Sequence, residues 1–250
     1  MENQLSENQR SDIARRDASA RGRRATRSEF AAGAVAVLPI IISVSAYGLL
    51  LGSVGRQAGL SPLEILLMSA TVFAGGSQFV VLELWREPLP VATLLITTLL
   101  VNLRHLLMGA TLGPYMKSGS AGGNLFRLFF LADEVWALAI QRGRTRGLTP
   151  SFYLGVGLPL YLAWLLSTWL GALIGDVIAD PVAWGFDFIF AAVFLSLLAG
   201  LWQGPRSSLF TWLASGGSAA LAALWLPGVW YILIGAGAGM AAAALKAGRS

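Results

Sequence analysis

The sequence predicts an all-α protein, a polytopic bundle of transmembrane helices, and three observations carry that expectation. Apolar residues make up 56% of the chain and charged residues only 12%, about half the charged share of a soluble domain and too little to clothe a globule of this size. Beyond residue 30 the chain is a series of apolar runs, several near the roughly 20 residues that cross a bilayer core as helix. Short Gly, Pro and charged segments separate the runs, and most basic residues fall there or in the first 30 residues.

Those first 30 residues hold Arg10, Arg15, Arg16, Arg21, Arg23, Arg24 and Arg27, with acids between them and no apolar stretch. A secretory signal needs such a stretch, so residues 1–30 read as a disordered, arginine-rich cytoplasmic arm, and residues 31–250 as a transmembrane domain. Its spans are expected at about 34–53, 61–85, 89–115, 124–141, 149–175, 182–202, 207–226 and 228–245. Ser61-Pro62-Leu63-Glu64 opens the second with a capping serine, a proline at the first helical position and a glutamate reaching back. Thr149-Pro150 opens the fifth in a similar way. The fourth is short and charged and the seventh weakly apolar, so six or seven spans also fit the pattern. Alternating the sides from a cytoplasmic N-terminus puts fourteen of the Lys and Arg residues inside and two, Arg56 and Lys117, outside. That asymmetry predicts both termini in the cytoplasm.

The composition excludes other classes. The net charge of +5 does not point to nucleic acid, because the arm and loops that hold the basic residues are explained by membrane orientation and contact with anionic lipid. The absence of cysteine excludes disulfides and thiolate metal sites, and no residue pattern implies a cofactor or a metal. Trp85, Trp184, Trp202 and Trp230 lie near span ends, as interface anchors do. Gly109 with Gly113, and Gly171 with Gly175, have the four-residue spacing that lets helices approach closely in lipid.

Polar side chains inside the apolar runs are the candidate functional residues, since a charge in a membrane costs about 3 kcal/mol or more. Phe73-Ala74-Gly75-Gly76-Ser77-Gln78 is a weak point in the second run. A helix broken there frees backbone N–H and C=O groups that can bind a carboxylate or an amine. In the third run Asn102 and His105 share a helix face, with Arg104 turned away from it. His105 is the single histidine, able to titrate near neutral pH. In the fourth run Asp133 and Glu134 diverge by about 100°, so one can pair with Arg104 while the other faces a cavity. Glu83 and Asp187 are weaker candidates near span ends. Tyr161, Trp164 and Ser167 share one face of the fifth run and either line a pathway or pack.

These stretches resemble the AzlC family of branched-chain amino acid permeases. The resemblance runs in order over about residues 35–245, through Ala58-Gly59-Leu60-Ser61-Pro62-Leu63-Glu64, Val72 to Phe79, Thr97 to Ala110, Leu131-Ala132-Asp133-Glu134, Phe152-Tyr153-Leu154-Gly155, Tyr161-Leu162-Ala163-Trp164 and Gly185-Phe186-Asp187-Phe188. Asn102-Leu103-Arg104-His105 is its most specific piece. The resemblance implies export of valine, leucine, isoleucine or other hydrophobic amino acids, a transporter and not an enzyme, seated in the inner membrane. It also implies a small AzlD-like membrane partner.

The residue reading then gives residues 31–250 a transport role. The substrate carboxylate is expected at Gly75 to Gln78 or Arg104, its ammonium at Asp133 or Glu134, and its side chain against Phe73 and Trp164. His105 and the acids are expected to carry the coupling proton. Two rivals stand beside this. Ser77 and His105, with Gly75 and Gly76 near, faintly resemble an intramembrane serine-protease dyad. A membrane scaffold subunit that transports nothing is the other.

Overall fold

The computed structural model describes residues 2–85, 88–116, 120–175, 204–226 and 230–247, with residues 195, 198, 199 and 202. Of residues 2–24, 206, 207, 232, 233 and 247 it describes the backbone alone. Among the described residues all regular structure is helical. Helix α1 (Glu2–Gln57) takes in the arginine-rich arm as helical backbone, where the sequence leads one to expect an unstructured segment. Its apolar part, Ala25–Gln57, is long enough to cross a membrane. The helix ends at Gly59, whose φ of +89° suits a glycine. Leu60 N–H donates to Gly55 O and Gly59 N–H to Arg56 O, the paired bonds that close a helix C-terminus on a left-handed residue.

The next helix, α2 (Pro62–Thr71), starts as its sequence requires. Ser61 Oγ accepts from Glu64 N–H, and Ser61 N–H donates to the Glu64 carboxylate at 2.7 Å. The chain is then extended at Val72 before α3 (Gly75–Glu83) begins. This segment does not cross the membrane as one helix. A Cβ on Gly55, near the end of α1, would touch both Ile65 at the start of α2 and Leu82 at the end of α3. Two turns before Gly55 on α1, Tyr47 and its neighbour Trp164 stand against Gly75. The two ends of the segment therefore lie at one level and its middle lies deeper. Helices α2 and α3 form a re-entrant hairpin, its arms pinned by a bond from Gln78 Nε2 to Ser69 Oγ at 3.2 Å.

A helix long and apolar enough to cross a membrane follows. Helices α4 (Val91–Asn102) and α5 (Arg104–Leu112) are joined by Leu103, which keeps helical φ and ψ. With the short 3-10 turn Gly113–Tyr115 they make a 25-residue apolar rod. It begins beside the first hairpin and ends at Tyr115, which stands on Gly143. Helix α6 (Ala121–Phe129) rises from there, with Asn124 Nδ2 donating to Met116 O. The chain breaks helix over residues 130–132, and α7 (Asp133–Arg146) returns to the same level. Its descending side is marked by Trp136 Nε1 donating to Thr111 Oγ1 and by Gly143 against Tyr115. This is a second re-entrant hairpin, entering from the face opposite the first. The expected second and fourth spans are thus each two helices that turn back within the bundle.

Helix α8 (Pro150–Ile174) then crosses in the same direction as α1. Gly155 lies on Phe30, Gly48 on Ser167, Gly52 on Thr168 and Ala172, and Gly175 on Arg56, so residue numbers rise together along the seam. Backbones this close in lipid need the small residues found there. Gly171 serves that seam, against Leu49. Gly109 and Gly113 do not: no described atom lies within 4 Å of a Cβ at either. At the foot of α1, Arg142 Nη2 bonds Glu29 Oε1 at 2.6 Å and Thr149 Oγ1 donates to Glu29 Oε2 at 2.9 Å, tying α7 and α8 to α1.

The last two helices, α9 (Phe210–Trp225) and α10 (Trp230–Ala247), pack on each other, with Gly235 and Gly239 against Ser215 and Ala219. The expected sixth span, with Trp184 and Asp187, lies outside the described residues apart from its C-terminal positions. Among the described residues, three helices are long and apolar enough to cross a membrane: Ala25–Gln57, Val91–Tyr115 and Pro150–Ile174.

The seam sets a prediction. A Cβ at Gly52 would fall inside the Thr168 carbonyl oxygen and close on the Ala172 amide, so Gly52→Val must push α1 off α8 at a cost of about 3 kcal/mol. Thermal unfolding in detergent should show a large loss of stability for that variant. Gly109→Val, at an open position, should stay within about 0.5 kcal/mol of the parent.

Candidate functional site

The two hairpin tips meet inside the bundle, at a cavity of about 50 Å³. That is several times the roughly 10–15 Å³ one water needs. Apolar walls come from Val44 and Tyr47 of α1, Phe73 of the first tip, and Leu160 and Trp164 of α8. Backbone comes from Ala74, Gly75 and Gly76 of the first tip and Ala132 of the second. The ionic side chains are Arg104 and His105 of α5 with Asp133 and Glu134 of α7.

Each tip presents a helix start. In α3, Ser77 and Gln78 N–H both turn back to Ala74 O, while Gly75 and Gly76 N–H find no backbone acceptor among the described residues. Helix starts carry about half a positive charge and bind anions through those free N–H groups. Helix α7 starts with Asp133 and Glu134 in its first turn, the residue type a helix start stabilises. Two positive helix ends therefore converge on one space, one occupied by acids and the other bare.

Arg104 lies between them. Its Nη1 bonds Asp133 Oδ2 at 2.5 Å, with side chains 28% and 26% exposed. Its Nη2 is 3.3 Å from where a Gly76 Cβ would stand, so the guanidinium lies against the bare helix start. Glu134 has no ion pair and no bond to another side chain among the described residues, and it faces the cavity. His105 Nδ1 stands 3.2 Å from Asn102 O, a hydrogen bond when that nitrogen carries the proton. It holds the carbonyl at the point where α4 gives way to α5.

Of the twelve residues the sequence singles out, eight line the cavity: Phe73, Gly75, Gly76, Arg104, His105, Asp133, Glu134 and Trp164. Four stand behind it. Ser77 Oγ donates to Ala74 O and accepts from Asn102 Nδ2 at 3.3 Å, so Ser77 and Asn102 fix the first tip to the crossing helix. Gln78 is buried, bonded to Ser69 and accepting from Trp164 Nε1 at 3.1 Å. Tyr161 lies at the tips themselves and donates to Ala70 O at 2.8 Å. Ser77 Oγ and His105 Nδ1 thus have other partners than each other. Ser167 packs on Gly48, and Glu83 is exposed.

Sequence reasoning did not find Tyr47, Val44, Ala74, Ala132 or Leu160. Tyr47 is the most informative of these, its ring stacked on Phe79 at 4.5 Å and tilted to Trp164 at 5.7 Å. The available signal was a lone aromatic with a polar end amid the aliphatic residues of the first run.

The AzlC protein family matches residues 39–178, which hold both hairpins and the cavity. A membrane protein of Archaeoglobus fulgidus is 30% identical over 77% of this chain and 84% of its own length. The inner membrane protein YgaZ of Escherichia coli is 26% identical over 70% of this chain and 74% of its own. The branched-chain amino acid transport protein AzlC of Bacillus subtilis is 24% identical over 68% and 66%. No solved structure matches.

The ion pair can be weighed by a mutant cycle. Arg104→Gln and Asp133→Asn should each destabilise the purified protein by stranding the other charge. The double variant should recover about 1–3 kcal/mol of the summed loss, measured by thermal or denaturant unfolding. Strict additivity would mean that the two side chains act separately.

Proposed function

This chain belongs to the AzlC protein family, and from that premise we propose that it is a secondary transporter exporting branched-chain or other hydrophobic amino acids. It is a multi-pass protein of the cytoplasmic membrane, like the inner-membrane relative above. Arg27, Arg142, Arg144 and Arg146 gather at one end of the described bundle and Arg56 at the other, so the basic end faces the cytoplasm. Residues 1–30 extend from that side as an arm, apart from a transport domain of residues 31–250.

The observation that carries the reading is the charge layout of the cavity. Two helix starts at roughly +0.5 each, with Arg104, offset the two carboxylates. A solute of no net charge but with separated ends suits such a site, and an amino acid zwitterion is that solute. Its carboxylate goes to the bare Gly75 and Gly76 amides beside Arg104. Its ammonium goes to Glu134, the acid left unpaired by the Arg104–Asp133 bond. Its side chain lies on Val44, Tyr47, Phe73, Leu160 and Trp164, where burying each CH₂ is worth about 0.8 kcal/mol. Such a wall selects apolar over polar side chains and separates valine from leucine only weakly.

Glu134 and His105 are the groups assigned to the coupling proton, being titratable, adjacent to the solute and free of a permanent counter-ion. The small AzlD-like subunit is assigned to the crossing rod Val91–Tyr115, whose Leu95, Leu99, Leu106 and Leu107 are exposed in the described chain.

The test is efflux of valine from cells loaded with a valine dipeptide. Arg104→Ala, Asp133→Asn and Glu134→Gln should each lower the rate per inserted molecule at least about tenfold, one to two lost charge-assisted bonds. A protonophore should abolish export against a gradient. Parental efflux in both the Arg104 and Asp133 variants would remove the site.

A further inference from the structure

The cavity of about 50 Å³, on the measure in which one water takes roughly 10–15 Å³, is too small for a branched-chain amino acid, so a solute enters only when part of the wall moves. The rigid parts are identifiable. Helices α1 and α8 are locked backbone to backbone along their whole seam. The hairpins are short: their half-helices have 10, 9, 9 and 14 residues, and they are interrupted at the cavity.

One side chain of the rigid frame touches both tips. The Tyr161 hydroxyl donates to Ala70 O, at the end of α2, at 2.8 Å. Its ring meets Phe73 of the first tip edge-on at 5.3 Å. The same ring meets Phe129 and Phe130 of the second tip at 5.6 and 5.5 Å. The hydroxyl thus serves the first hairpin alone, while the ring serves both.

We infer that Tyr161 is a positioning residue that holds both hairpin tips closed, the hairpin α2–α3 being the outer gate and the hairpin α6–α7 the cytoplasmic gate. Each hairpin can swing only toward the face from which it enters, because the opposite hairpin and the frame block the other way. Release of the first tip from the hydroxyl opens the cavity outward. Release of Phe129 and Phe130 from the ring opens it inward. The inference takes from the transport reading only the need for two-sided access and the sidedness of the bundle.

The chain has no cysteine, so single cysteines report on each gate directly. Ala74→Cys and Ala132→Cys, which line the cavity at the two tips, are placed separately in the full-length protein. Each is reacted with a membrane-impermeant maleimide in intact cells and in inverted vesicles. The outer reagent should reach Ala74→Cys and the inner reagent Ala132→Cys. Adding Tyr161→Phe, which keeps the ring, should raise outer labelling of Ala74→Cys about fivefold, the worth of one hydrogen bond, and leave inner labelling of Ala132→Cys unchanged. Phe130→Ala should do the reverse. Equal rises in outer and inner labelling on loss of the hydroxyl, or no rise in either, overturns the inference. Labelling needs no solute, so a failed gate and a failed substrate assignment are separately visible.

Discussion

A guanidinium held inside an apolar helix bundle requires an anion within bonding distance, because a lone charge withdrawn from water costs several kcal/mol. Arg104 meets this requirement with Asp133 at 2.5 Å, and the consequences reach far from the pair. Asp133 can stand there only because α7 starts there, and α7 starts there because the chain ascending through α6 turns back at residues 130–132. A turn inside the hydrocarbon exposes backbone groups that must be covered by protein. Helix α8 does the covering: Gly157 admits Phe130 closely, and the Tyr161 ring closes over Phe129 and Phe130. One ion pair thus couples the crossing rod, the second hairpin and the central helix.

The first hairpin obeys the same constraint without a charge of its own. Its turn is braced by neutral donors, with Tyr161 on Ala70 O, Asn102 on Ser77 and Trp164 on Gln78. The two tips are therefore chemically unlike although their folds mirror each other. One carries carboxylates on its first turn and the other carries bare glycine amides. Transporter folds with opposed discontinuous helices place their solutes at such a junction. Here the asymmetry of the tips separates a negative end from a positive one across a single small cavity.

Much of this was legible in the residues. Arg104, Asp133 and Glu134 stood out because charge is costly in apolar runs, and the divergence of adjacent acids on a helix already implied that one pairs and one faces inward. The capping box at Ser61 and Glu64 gave the start of α2 correctly. The reversal of direction was not legible, for a physical reason. A hairpin of two half-helices has the same length and hydropathy as one crossing, so composition cannot separate them. Two local signals pointed to it. Thr71-Val72 followed by Gly75-Gly76 interrupts helix propensity. Asp133 and Glu134 are residues of a helix's first turn, yet in an apolar run they read as mid-helix charges. Gly109 and Gly113 have the close-packing spacing, and no described residue packs on them.

The account stands most directly on the sidedness of the hairpins' ends. Single cysteines at Gln57, Pro88, Ser120 and Arg146, reacted with an impermeant thiol reagent, measure it without reference to activity. The hairpin architecture predicts that Gln57→Cys and Pro88→Cys react in intact cells, and Ser120→Cys and Arg146→Cys only in inverted vesicles. Gln57→Cys and Pro88→Cys reacting from opposite faces would mean that residues 62–83 cross the membrane, and would contradict it.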